Sequence, residues 1–115
     1  MRIHALLEEA DGLIALAESV ATVFSEKHDE LGVRTDVEAL LRAGIAAATT
    51  GVNVYLAVLV QTRKSAVASR YLAEARRRCR RSVEQLRRRV RYSIAHLSRV
   101  VDEKQLVRGL EYAPR

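Results

Sequence analysis

Arginine is the residue type in this chain with the most obvious potential for chemistry. Ten arginines stand between residues 70 and 91, and only Glu74 and Glu84 oppose them there. A guanidinium group binds a phosphate through two parallel hydrogen bonds, so such a run is typical of a surface that meets a polyanion. The side chains that we expect to contact nucleic acid are Arg70, Arg76, Arg77, Arg80, Arg81, Arg87, Arg88 and Arg91.

The spacing of these arginines distributes them over several faces of one helix. At about 100° per residue, four of them fall on a single line opposite the apolar positions, namely Arg70, Arg77, Arg81 and Arg88. The two acids can pair only with residues close by on the helix. A face that serves solubility alone mixes both signs of charge, so the imbalance favours polyanion binding over a solvated face. Tyr71 and Tyr92 flank the run and can stack on bases.

Side chains that carry catalysis or hold metals are sparse and scattered. His4, His28 and His96 are far apart, and no HExxH or paired Glu-x-x-His pattern occurs. Cys79 is the only cysteine, which excludes an internal disulfide and a multi-thiolate zinc site. We therefore expect surface or interface histidines, no catalytic residue, no metal and no cofactor.

Composition and charge indicate one helical domain with two unlike sides. The 115 residues are 49% hydrophobic and include one proline and five glycines, so we expect a single domain over residues 1–115. Acids occur early in the N-terminal segment, which is unlike a secretory signal, and we expect a cytoplasmic protein. Residues 1–38 carry nine acids and three bases, whereas residues 39–91 carry two acids and thirteen bases. That polarity suits a polyanion on one side.

The first two helices have clear boundaries. Apolar residues recur at steps of three and four from Ile3 to Phe24, and Gly32 suits the left-handed turn after a helix that ends near Leu31. A second helix is expected to begin at Thr35, with the Thr35 hydroxyl and the Glu38 carboxylate capping each other's backbone N–H groups.

The second predicted helix contains an uncharged stretch from residue 43 to residue 62. Its length raises the possibility of a membrane span, but interspersed Gly, Thr, Asn and Gln residues argue against one, and we expect no membrane partner. One face carries small side chains where a monomer would normally carry charge. We interpret this face as a homo-oligomer interface or, alternatively, as an alanine-rich face chosen for helix propensity. The interface residues would be Ala39, Ala43, Ala46, Thr50, Asn53 and Ala57.

The third predicted helix follows a turn near residues 63–69, with Ser65 or Ser69 as its cap. Its core line is expected to be Leu72, Ala75, Cys79, Val83, Leu86, Val90, Ile94 and Leu97. Cys79 falls on this line and is interpreted as a small buried hydrophobe. Ser98 is expected to cap a shorter fourth helix. The predicted fold is therefore all-α, an antiparallel up-down-up-down four-helix bundle.

The segment from Tyr71 to Ser98, YLAEARRRCRRSVEQLRRRVRYSIAHLS, resembles a known family. It is similar to the accessory variability determinant proteins of diversity-generating retroelements and to the four-helix proteins encoded by intervening sequences in 23S ribosomal RNA genes. The run of Leu and Ala, the basic stretch around Leu86-Arg87 and the apolar exit from Ile94 to Ser98 carry the likeness. The chain lacks the Gly- and Trp-containing end of the last helix found in many members.

The resemblance implies a four-helix bundle assembled into a barrel-shaped homopentamer. It also implies a non-enzymatic role: binding nucleic acid and a reverse transcriptase to support mutagenic cDNA synthesis. Two other functions fit the residues themselves. One is a structural or adaptor bundle whose basic face docks an acidic protein, and the other is a helical small subunit of an RNA-guided complex.

Overall fold

Three α-helices form the part of the chain that the structure, a computed structural model, describes, residues 3–32 and 34–112. They are α1 (Ile3–Leu31), α2 (Thr35–Thr62) and α3 (Ala66–Tyr112). Successive helices are antiparallel, because Gly51 of α2 lies beside Cys79 of α3 while Arg34, just before α2, contacts His96. The all-α prediction is confirmed, and the molecule is 76 Å long.

The turn between α1 and α2 lies where the sequence places it, but its chemistry differs. Gly32 has the left-handed conformation, with φ of 66°, and α2 begins at Thr35. The predicted capping by the Thr35 hydroxyl is wrong, because the backbone N–H of Glu38 donates to the carbonyl of Arg34, the residue that precedes the helix and whose own side chain makes no capping hydrogen bond. The Glu38 carboxylate instead accepts hydrogen bonds from Ser25 at 3.1 Å and from Arg42 at 2.8 Å. It therefore joins α2 to α1.

The turn between α2 and α3 follows the prediction more closely. The Ser65 hydroxyl accepts a hydrogen bond from the backbone N–H of Val67 at 3.2 Å, the arrangement of an N-terminal helix cap. A three-residue connection, 63–65, then makes α2 and α3 antiparallel neighbours over most of the length of α2.

The predicted fourth helix does not form as a separate element, so the four-helix bundle is not confirmed. α3 continues through Ser98 to Tyr112 without interruption. A serine alone does not end a helix when apolar residues continue at helical spacing, and Leu97 and Val100 both pack against the core. Residues 101–105 beyond them are exposed.

The core line of α3 is confirmed from Ala75 to Val90 and wrong at Ile94. Ala75, Cys79, Val83, Leu86 and Val90 are buried, whereas Ile94 is 41% exposed. Burial raises the pKa of the Cys79 thiol, which agrees with its interpretation as a core residue.

Polar residues replace Ile94 in the core. Ser93 and His96 are buried, so the prediction of a surface or interface histidine is wrong for His96. The ring of His96 stacks on Phe24, with centroids 6.1 Å apart, and its Nε2 accepts a hydrogen bond from the backbone N–H of Arg34 at 3.2 Å. Because both contacts come from the segment around the first turn, His96 attaches that turn to α3. The side chains of His4 and His28 lie outside the described residues.

α2 approaches α3 closely along a line of small residues. Gly44, Ala48 and Val52 are on its buried face, between Val37 and Tyr55. A Cβ at Gly51 would lie 3.2 Å from the Cα of Cys79 and 2.7 Å from Ser82 Oγ. By length and composition α2 could also cross a membrane, and 22% of its most apolar window is buried.

Candidate nucleic-acid interface

An exposed line of arginines runs along the outer side of α3. We call Arg70, Arg77, Arg81 and Arg88 the arginine ridge; all four are exposed. They lie opposite the buried line that ends in Val90, as the helical spacing predicts. The ridge covers nineteen residues of α3, and its first and last arginines are about 27 Å apart at about 1.5 Å per residue.

Acids on α3 neutralise part of the arginine run. Glu74 forms ion pairs with Arg77 and with Arg78, the latter at 2.9 Å. The hydrogen bond from Arg78 lowers the pKa of Glu74, and attraction to Arg77 adds to the effect. All three side chains are largely exposed, so these pairs contribute little stability and can open toward another anion.

Three of the arginines are turned toward the other helices. Arg87 pairs with Glu9 of α1 and, at 2.5 Å, with Glu84. Arg89 donates a hydrogen bond to the backbone carbonyl of Leu40 in α2 at 2.9 Å. Arg76 is half-buried beside Ala5 and Leu6 of α1, and its Nε has no hydrogen-bond partner among the described residues. Arg76 and Arg87, both predicted to contact nucleic acid, are thus less accessible than the rest of that set.

Within the run from residue 70 to residue 91, five arginines are exposed and have no hydrogen bond or ion pair to another described residue. They are Arg70, Arg80, Arg81, Arg88 and Arg91. All belong to the set predicted from the sequence, and three belong to the ridge. No ion pair within the described residues neutralises these five charges, and Glu74 acts on Arg81 only through longer-range attraction. This side of α3 therefore attracts anions.

A narrow apolar groove borders the ridge on the side of α2. Leu40 and Tyr92 line it together with Val37, Leu41, Ser93, Arg88 and Arg89. Leu40 is 53% exposed and Tyr92 is 50% exposed. Arg34 is close to Tyr92: its pKa is raised mainly by the hydrogen bond to Asp36, and Tyr92 contributes to that rise.

The α2 wall of this groove contains a large apolar side chain that is not buried in the core. Leu40, like Leu56 further along α2, is exposed. The sequence contains a signal for this wall, because Leu40, Ala47 and Val54 recur at steps of seven and so share one side of a helix. All three are exposed, and we call them the apolar shelf.

The predicted oligomer stripe lies on the far side of α2. All six members, Ala39, Ala43, Ala46, Thr50, Asn53 and Ala57, are exposed. Helical spacing places them opposite the buried line that includes Leu41 and Ala48. The stripe is therefore accessible to a second copy and lies apart from the ridge and from the groove beside Leu40, except that Ala57 at its end lines a smaller groove with Tyr71.

Neither a metal-ligating cluster nor a similar known protein assigns a role to this surface. The described residues contain no group of three or more His, Cys, Asp or Glu side chains that could hold a metal ion. Comparisons with family models, with curated proteins and with solved structures found no match for the chain.

Proposed function

We propose that the protein binds nucleic acid through the arginine ridge and the unpaired arginines beside it. The observation that carries the proposal is the set of five exposed arginines between residues 70 and 91 of α3 that have no hydrogen bond or ion pair to another described residue. Self-repulsion among them is relieved when an anion with closely spaced charges lies along the helix. A phosphate backbone has such spacing, and guanidinium groups bind it in two-pronged geometry. The proposed action is binding and not catalysis.

Phosphate binding predicts a steep dependence of affinity on salt concentration. Five arginines that displace counterions from a single strand give a slope of log K against log salt of about −3.5. The measurement is fluorescence anisotropy of a labelled oligonucleotide between about 50 and 200 mM salt. A flat dependence would contradict the proposal. Failure of excess RNA to compete with an acidic protein bound to the same face would favour the adaptor function.

We also propose that the protein self-associates through the stripe on α2. The stripe is exposed, uncharged and small, so another backbone can approach it closely. The most apolar window of α2 is only 22% buried in the single chain, which leaves apolar area for a partner to cover.

A charge in the stripe is expected to dissociate the oligomer. Ala46→Glu would place a carboxylate in an apolar contact, where burial without a partner costs several kcal/mol. Analytical ultracentrifugation should then show monomers, with unchanged helicity by circular dichroism. The matched control is Ala15→Glu, on the exposed side of α1. An Ala46→Glu protein that sediments like the wild type would exclude the stripe as the interface.

The family resemblance supports a narrower role for this binding activity. We propose that the protein is an accessory to a reverse transcriptase in a diversity-generating retroelement, assembled as a pentamer. In that assembly the residues after Ser98 would form the fourth helix of the bundle. A reverse transcriptase gene with variable and template repeats beside this gene would support the role, and their absence would leave general nucleic-acid binding.

A further inference from the structure

We infer that the nucleic acid bound at this site is single-stranded, with a base seated in the groove between Leu40 and Tyr92. The inference rests on the proposed function and adds the form of the nucleic acid and the place where a base is held. Two features carry it. The arginine ridge on α3 and the apolar shelf on α2 lie on neighbouring helices, and the exposed Tyr92 lines the groove that contains Leu40 of the shelf and Arg88 of the ridge.

The two lines match the two sides of a single strand. The ridge on α3 offers guanidinium groups, and the apolar shelf on α2 offers Leu40, Ala47 and Val54. An unpaired strand carries phosphates along one edge and flat, weakly polar base faces along the other. In a duplex those faces are stacked inside the helix, so the shelf would have no apolar surface to contact.

The groove has suitable dimensions and chemistry for a base. It is an open groove of about 350 Å³, which is within the range of small-molecule sites. Leu40 supplies an aliphatic wall and Tyr92 an aromatic one, and Arg88 and Arg89 also line the groove. Arg88 also belongs to the ridge, so a base in the groove leaves its own phosphate beside a ridge arginine.

A second, smaller groove repeats this arrangement at the other end of the ridge. Tyr71 is 60% exposed and lines a groove with Ala57, Val58 and Gln61 of α2. Arg70 of the ridge precedes it directly in the chain. Tyr71 and Tyr92 are twenty-one residues apart, or about 31 Å along the helix. One strand following the ridge can therefore meet a tyrosine at each end.

The test compares three ligands of equal length: a labelled single-stranded oligonucleotide, its duplex, and an abasic strand with the same phosphates. We expect the wild type to bind the single strand at least about tenfold more tightly than either of the others.

Tyr92→Ala should weaken single-strand binding about 5- to 150-fold, the usual range for one stacked base, and leave abasic binding unchanged. Tyr92→Phe should retain the wild-type affinity. Val23→Ala, an exposed apolar residue on α1, is the matched control.

The outcomes separate this inference from the proposed function. Equal, salt-dependent binding of all three ligands would overturn the inference and leave the proposed function intact. Absence of binding to every ligand would overturn both. A Tyr92→Ala protein that changes its oligomeric state but keeps its preference for bases would show that the groove is a contact between protein chains, which also overturns the inference.

Discussion

Replacing Arg70, Arg81 and Arg88 by glutamate is expected to abolish oligonucleotide binding at physiological salt. The change removes three unpaired cations from the ridge and places three anions in the path of the phosphates. Losing three phosphate contacts lowers the salt slope by about two for a single strand, and repulsion from the new carboxylates weakens the remaining binding further. Fluorescence anisotropy should show an affinity loss of at least about 100-fold. All three positions are exposed, so the helicity should not change.

The control for this variant must show whether binding depends on where the charges are changed or only on the net charge of the protein. Changing Lys27, Lys104 and Arg108 to glutamate alters the net charge equally at exposed positions away from the ridge. That protein should keep most of its affinity, because screening weakens charges that lie more than about 10 Å from the ligand. Equal losses in the two variants would mean that net charge alone drives binding. Unchanged binding in the ridge variant would exclude this face of α3.

Replacing the same three arginines by lysine distinguishes two-pronged hydrogen bonding to phosphate from the attraction between opposite charges alone. Lysine at the same three ridge positions keeps the charge but loses the planar fork that holds two phosphate oxygens. If paired hydrogen bonds contribute, affinity falls while the salt slope stays close to that of the wild type. This comparison uses the same measurement as the glutamate variant and belongs to the same experiment.

Local signals accounted for most of the fold. Gly32, the start of α2 at Thr35 and the Ser65 cap depend on neighbours within a few residues, and the structure confirms all three. The break at Ser98 failed because a serine is compatible with both a cap and a helix interior. What decides between them is the packing of Leu97 and Val100, which the sequence alone does not show.

Tertiary contacts explain why the site was only partly predictable. Helical spacing identified the outermost arginines, because that line depends on α3 alone. It could not show that Arg87 reaches Glu9 or that Arg89 reaches the carbonyl of Leu40, since both contacts depend on which helix lies on which side. The burial of His96 in place of Ile94 also depends on a tertiary contact, because the His96 ring accepts a hydrogen bond from the backbone N–H of Arg34 in the first turn.

The close packing of α2 on α3 should be the most sensitive point of the fold. Gly51→Ala adds a Cβ 2.7 Å from Ser82 Oγ and 3.2 Å from the Cα of Cys79. The serine can rotate away, at the expense of its 2.8 Å hydrogen bond to the Cys79 carbonyl, but the backbone can yield only if the helices separate. We expect the free energy of unfolding, from urea denaturation, to fall by about 1–3 kcal/mol, and by more for Gly51→Val.

A second glycine provides the control, because alanine is the better helix former wherever space allows. Gly12 lies within α1 and has nothing within 4 Å of an added Cβ, so Gly12→Ala should raise the free energy of unfolding by about 0.5–1 kcal/mol. Adding Ser82→Ala to Gly51→Ala separates the two contacts. If stability stays low, the Cys79 backbone limits the approach; if it returns to that of Ser82→Ala alone, the serine was the obstacle. A stabilising Gly51→Ala would contradict the close approach of α2 to α3 at this point.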